Sequence, residues 1–227
     1  MAYGESLAAW LHQYRGDATM VRKHADAAIE LARTHDFAQW RAIGTMLSAW
    51  SVAALDDPEA GRTMLTRGIE GFRRTGSELN LPHFLSMLAD AHMRAGDPKA
   101  GLDVIEEALA TAAKNDDRVW EPELHRLKGE MLLRLGESTS DGTDVRDASE
   151  AALRTAIEVA ARQKSRSLEL RAAVSLARLL AQEDKRANAI EILTAAVDRF
   201  PAGSRSVELD EARAMLQPLD RAVAADL

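Results

Sequence analysis

The chain has 227 residues, 46 % hydrophobic and 29 % charged, with a formal net charge of −7. It holds 42 Ala and 28 Leu against 17 Val and Ile together, a balance that favours helix and argues against sandwiches, barrels and Rossmann-type sheets. Without Cys there are no disulfides, thiolate nucleophiles or Cys-ligated zinc, no run nears the roughly 18 apolar residues of a membrane span, and the net acidity argues against wrapping nucleic acid.

Along the chain the pattern repeats. AAIELA at Ala27 returns as RGIEGF at Arg67, EALATA at Glu107, TAIEVA at Thr155 and AAVDRF at Ala195, spaced 40, 40, 48 and 40 residues apart. Each period reads as two helices, giving pairs over about 4–35, 37–75, 78–116, 118–164 and 166–200. Asp57-Pro58 and Asp97-Pro98 are helix starts, an N-cap followed by Pro where its missing N–H costs nothing. Gly96 and Gly136 are helix ends. Further breaks are expected near Thr75-Gly76, Lys114 to Asp117 and Lys164-Ser165. The 48-residue interval carries a polar insertion, Glu137 to Asp144, expected as a surface loop. A last segment, Val207 to Leu216, follows Pro201 and Gly203.

This periodicity resembles the tetratricopeptide family, whose repeats place small residues where two helices cross. Taking Gly96-Asp97 as that family's turn puts Ala9, Ala49, Ala89, Gly129 and Ala177 in the small slot of the first helices. Ala28, Gly68, Ala108, Ala156 and Ala196 then fill the small slot of the second helices. The expected fold is an all-α, right-handed helical-pair solenoid in a single domain over 1–227. Its repeats cover about 1–36, 37–76, 77–117, 118–164 and 165–201, and a capping helix covers 206–217. Each pair exceeds the family's usual 34 residues by about six.

AAWLHQ from Ala8, WEPELHRLKGEMLL from Trp120, RQKSRSLELRAAVSLARLL from Arg162 and VELDEARAMLQPL from Val207 resemble a more particular setting. They are similar to the C-terminal repeat region of bacterial adenylate/guanylate cyclase and AAA/STAND ATPase signalling proteins. The resemblance implies a fold and a cytoplasmic signalling context, and transfers no catalytic residue. It implies that cyclase or ATPase chemistry would lie in domains outside this chain.

The chain's own residues offer little chemistry. There is no phosphate-binding loop of either common type and no G-x-S-x-G elbow. The six His form no H-E-x-x-H motif, and His92 reads as a packed neutral ring. Ser138 to Asp144 lacks the alternating acids of a calcium loop. No cofactor and no metal are expected, and the chain reads as non-enzymatic.

The candidate site is the concave groove that the resemblance implies. It would be lined by Trp10, Gln13, Tyr14 and Trp50, then His83, Asp90 and Arg94, then Glu123, Arg126, Glu130 and Arg134, and finally Arg171, Arg178 and Gln182. Trp, Tyr and Arg are the residues that dominate binding energy. The stretch Arg162 to Arg186 carries net charge +4, which is either surface ion pairing or a contact for an acidic partner. The reading is a regulatory interaction module that binds a protein or peptide segment, or a neighbouring cyclase/ATPase domain. It excludes a membrane partner and disfavours nucleic acid. Self-association as a homodimer is expected if the first helix lacks a neighbour to cover it. Two other readings stand beside this one. They are the small-molecule-sensing repeats of a STAND-type transcription activator and, from another class, a helical enzyme.

Overall fold

The computed structural model describes residues 1–136 and 142–225. Among these residues the protein is all-helical, without strands. Its helices are α1 (Ala2–Tyr14), α2 (Ala18–Thr34), α3 (Ala38–Leu55), α4 (Pro58–Arg74), α5 (Leu81–Arg94), α6 (Pro98–Asn115), α7 (Glu121–Gly136), α8 (Gly142–Arg162), α9 (Arg166–Gln182), α10 (Arg186–Val197) and α11 (Val207–Ala225). The expected pairs are the ten helices from α1 to α10, taken two at a time.

The starts follow from local chemistry. The Asp57 side chain accepts the N–H groups of Glu59 and Ala60 at 2.9 and 3.1 Å. Asp97 accepts from Ala100 at 3.0 Å, with Pro98 leading the helix. Asp17 does the same for Met20 at 3.1 Å. Several ends share one device. Gly96 turns left-handed at φ +82, and the next N–H, on Asp97, donates to the carbonyl of His92 at 2.9 Å. That is the six-residue closure of a Schellman turn.

The same closure appears where the sequence has no Gly. Asp36, Asp116, Lys164 and Asp184 take φ between +52 and +62. Phe37, Asp117, Ser165 and Lys185 then donate to Ala32, Ala112, Ala160 and Leu180 at 2.9 to 3.0 Å. Asp tolerates this conformation better than most residues. Lys164 has no such excuse, so its strain is offset by the bond it permits.

The helices gather into two compact units, Met1–Arg118 and Val119–Leu227. In the first, α1 to α6 pack in sequence around Met46, Leu47, Leu65, Phe72, Phe84 and Ile105, all buried. The small slots sit at the closest crossings. Ala9, Ala28, Ala49, Ala89 and Ala108 have no exposed surface. A Cβ on Gly68 would lie 2.6 Å from the Met46 side chain. In the second unit, Leu153, Leu170, Leu176, Leu180, Leu193 and Leu209 form the core, with Ala156, Ala177 and Ala189 at crossings. Gly129 admits Leu153, and the buried Ser149 hydroxyl donates to the Gly129 carbonyl at 2.8 Å.

Two expectations need correction. The insertion is not loop throughout, because α8 already begins at Gly142 and includes Asp144; residues 137–141 lie outside the described residues. The last helix runs to Ala225 and passes Pro218 rather than stopping near Leu216. Pro removes one backbone hydrogen bond, and the Ala-rich segment after it has the propensity to continue.

Candidate functional site

In the first unit, the aromatic candidates meet inside the helix layer. Trp10 and Tyr14, one helical turn apart on α1, face α5. The Trp10 ring stacks on His83 at 5.7 Å and approaches Phe84 at 5.3 Å. Tyr14 meets His83 edge-on at 5.4 Å, and Phe72 of α4 closes on Phe84. Trp10, Trp50 and His83 are buried and Tyr14 is half-buried. Burial pushes the Tyr14 hydroxyl well above its usual range. The register therefore brings Trp10, Tyr14 and His83 together, but their rings fill the space between α1 and α5. Trp50 lies outside this cluster of rings. On α5, Asp90 and Arg94 form an i, i+4 ion pair at 2.8 Å, with Arg94 exposed.

In the second unit, the charged candidates form a network. Glu123, Arg126 and Glu130 fall at i, i+3 and i+7 on α7, which places them on one face. Arg126 holds Glu123 at 2.7 Å and Glu130 at 2.5 Å. Burial opposes its charge, but the two carboxylates outweigh that and hold its proton more tightly than usual. On α9, Arg171, Ser175 and Arg178 fall at i, i+4 and i+7, which also places them on one face. Ser175 donates to Glu130 at 2.7 Å, and Arg171 lies 3.9 Å from Glu123. Arg171 and Arg178 also reach Glu208 (3.1 Å) and Glu211 of α11. Burial works against ionisation of Glu208, but its backbone bond and the Arg171 guanidinium prevail and lower its pKa. Arg134, a turn beyond Glu130, is exposed.

The stretch 162–186 is largely a paired surface. Lys185 holds Glu183 at 2.8 Å and Glu150 at 3.5 Å, and Arg186 holds Asp184 at 2.9 Å. The buried Glu169 pairs with Arg199 at 2.8 Å rather than with an Arg of this stretch. His92 is partly buried, and burial lowers its pKa, which favours the neutral ring.

Sequence reasoning missed Ser175, Glu208 and Glu211. The only signal for the last two was their i, i+3 spacing on the final helix, and nothing in the chain said which arginines they would meet. Among the described residues, no group of three or more His, Asp or Glu is placed to hold a metal ion.

Comparison with known proteins adds the following. No family model matches the chain. An uncharacterized protein of Rhizobium meliloti (strain 1021) is 26 % identical over 166 residues, which is 73 % of this chain and 16 % of that protein. The chain thus spans about a sixth of that relative. Among solved structures, two of the nearly identical TPR-like repeats from a Podosopora anserina protein described as a kinesin light chain are similar, the first of them as a point variant. One has a TM-score of 0.56 at 15 % identity, covering 86 % of this chain and 92 % of that one. The other has 0.55 at 13 %, covering 95 % and 96 %. At such identities the likeness is one of fold, and the fold of this chain is the tetratricopeptide-like helical-pair repeat.

Proposed function

We propose that this chain is a non-catalytic interaction and regulatory module that binds an acidic protein segment along the α7–α9 face. The observation that carries this reading is the use that face already has within the protein. Arg171 and Arg178 on α9 hold Glu208 and Glu211 of another helix. Charge-assisted pairs of this kind are the stronger hydrogen bonds, and the Arg fork suits carboxylates. Exposed Arg134 would extend the same row. In the first unit, Asp90 and Arg94 remain candidate contacts, while Trp10, Trp50 and His83 act as packing that shapes the helices.

The resemblance to cyclase and STAND ATPase repeat regions, and a match to one part of a much longer relative, support a place in a larger cytoplasmic signalling protein. The test is capture of a partner from the source cell, followed by titration. The double variant Arg134→Ala, Arg178→Ala should keep its helicity and bind at least tenfold more weakly, about 1.4 kcal/mol. Added salt should weaken the parent too. Lys99→Ala should bind as the parent does. Equal binding by the double variant rejects the α7–α9 face.

Self-association is part of the same reading. Tyr3, Leu7 and Leu11 are exposed at i, i+4 and i+8 on α1, beside Met1. Such a stripe costs solvation unless covered. A second copy pairing α1 with α1 would cover it two-fold. Light scattering at micromolar concentration should give twice 24.8 kDa. Leu7→Glu with Leu11→Glu should return the monomer mass, and a parent that is already monomeric overturns the pairing.

A further inference from the structure

A cleft of about 560 Å³ opens between α3 and α4, lined by Arg41, Arg67 and Arg74 together with Thr45, Gly68 and Gly71. No acidic side chain lines it. Among the described residues, none of these three arginines has a carboxylate within ion-pair distance. Nearby arginines behave differently. Arg33 holds Glu30 at 2.8 Å, Arg62 holds Glu59 at 2.6 Å, and Arg73 pairs with Glu107. All three arginines are exposed, so an anion entering the cleft meets their combined positive charge with no carboxylate competing for it.

The backbone adds to the field. α3 begins at Ala38, on the cleft wall, and its N-cap residue Phe37 supplies no side-chain acceptor. The Ala38 N–H donates to the Asp36 carbonyl at 3.1 Å, but no side chain caps this turn, so the positive end of the helix dipole lies at the same place. Gly71 leaves the α4 side bare, whereas Gly68 is where the Met46 side chain of α3 packs. A Cβ on Gly71 would meet only the Arg74 guanidinium, at 3.8 Å. The volume lies within the roughly 300–1,000 Å³ of small-molecule sites.

We propose that the cleft between α3 and α4 binds a small molecule carrying several phosphate or carboxylate groups. This site lies apart from the α7–α9 face and stands independently of the partner-binding reading. The Arg fork matches the paired oxygens of both anions. The probes are pyrophosphate and citrate, titrated calorimetrically into the full chain at low salt, with a Glu-rich peptide as a third arm.

One of the two small anions should bind more tightly than about 1 mM, and whichever binds tells phosphate from carboxylate. Arg41→Gln, Arg67→Gln and Arg74→Gln together should weaken it at least tenfold. Gly71→Leu keeps every charge but fills the cleft, and should weaken it comparably without loss of helicity. A charge-matched control, Arg33→Gln, Arg62→Gln and Arg73→Gln, should bind as the parent. The proposal is overturned if neither anion binds, if Gly71→Leu binds as tightly as the parent, if the control triple loses binding equally, or if the peptide binds and the small anions do not.

Discussion

Arg126→Ala is expected to destabilise the protein by about 3–5 kcal/mol, the range for breaking a buried ion pair from one side. Arg126 sits between Glu123 and Glu130, and only 16 % of its side chain is exposed. Its removal leaves both carboxylates inside the α7–α9 layer without their main counter-charge. Arg171 is 3.9 Å from Glu123 and Ser175 is bonded to Glu130, so some compensation remains and the lower end of the range is expected. Urea unfolding should show an earlier midpoint with an unchanged slope. Neutralising the whole group, as Arg126→Met with Glu123→Gln and Glu130→Gln, should recover most of the loss, because no unpaired buried charge is left. A midpoint for Arg126→Ala within the scatter of the parent would show that the network contributes nothing to stability. The same logic makes Arg126 a poor probe of binding, since any loss of affinity would be mixed with unfolding.

The second large effect concerns two glycines on one helix that should respond with opposite signs. At Gly61, an added Cβ would lie 2.4 to 2.6 Å from Ala53, including its backbone N and Cα. Backbone cannot swing aside as a long side chain can, so α4 would have to move off α3. Gly61→Ala should therefore cost about 1–3 kcal/mol, as overpacking does. Gly71 meets nothing closer than the end of Arg74. There the helical preference of Ala over Gly prevails, and Gly71→Ala should stabilise by about 0.5–1 kcal/mol. Thermal melts of the two single variants decide this. Shifts in the same direction would mean that α3 and α4 do not cross at Gly61.

The two predictions differ in where they came from. The close crossing at Gly61 was legible in the chain, because that early point of the second helices is small in four of five repeats (Gly61, Gly101, Ser149 and Ala189, with Val21 the exception), and all five are buried. The Arg126 network was half legible. Spacing on α7 placed Glu123, Arg126 and Glu130 on one face. It could not say that Ser175 and Arg171 would arrive from α9, or that α11 would bring Glu208 and Glu211 to that helix. Those contacts join residues 33 to 48 positions apart, and no local rule carries that far.

The aromatic candidates show the same boundary. Helical spacing put Trp10 and Tyr14 on one face of α1, and the repeat register placed His83 on the same side. Whether that side was open to a partner depended on how far α1 and α5 separate across an intervening pair. Large rings on both helices close that gap, and the candidates became core.

By itself, the sequence determined what short-range chemistry controls. It set the helical class through Ala and Leu, the 40-residue period, the Asp-Pro starts, and the small residues at crossings. It also hid some turns, because Asp36, Asp116 and Asp184 do the work that Gly does at residue 96. The tertiary structure alone decided which side chains face solvent and which charges find partners. It gathered Arg41, Arg67 and Arg74 around one cleft, although Arg41 lies on a different helix from the other two. The physical reason is that burial and ion pairing depend on distance between helices. That distance is the sum of every packed side chain in the layer and is not encoded in any one segment.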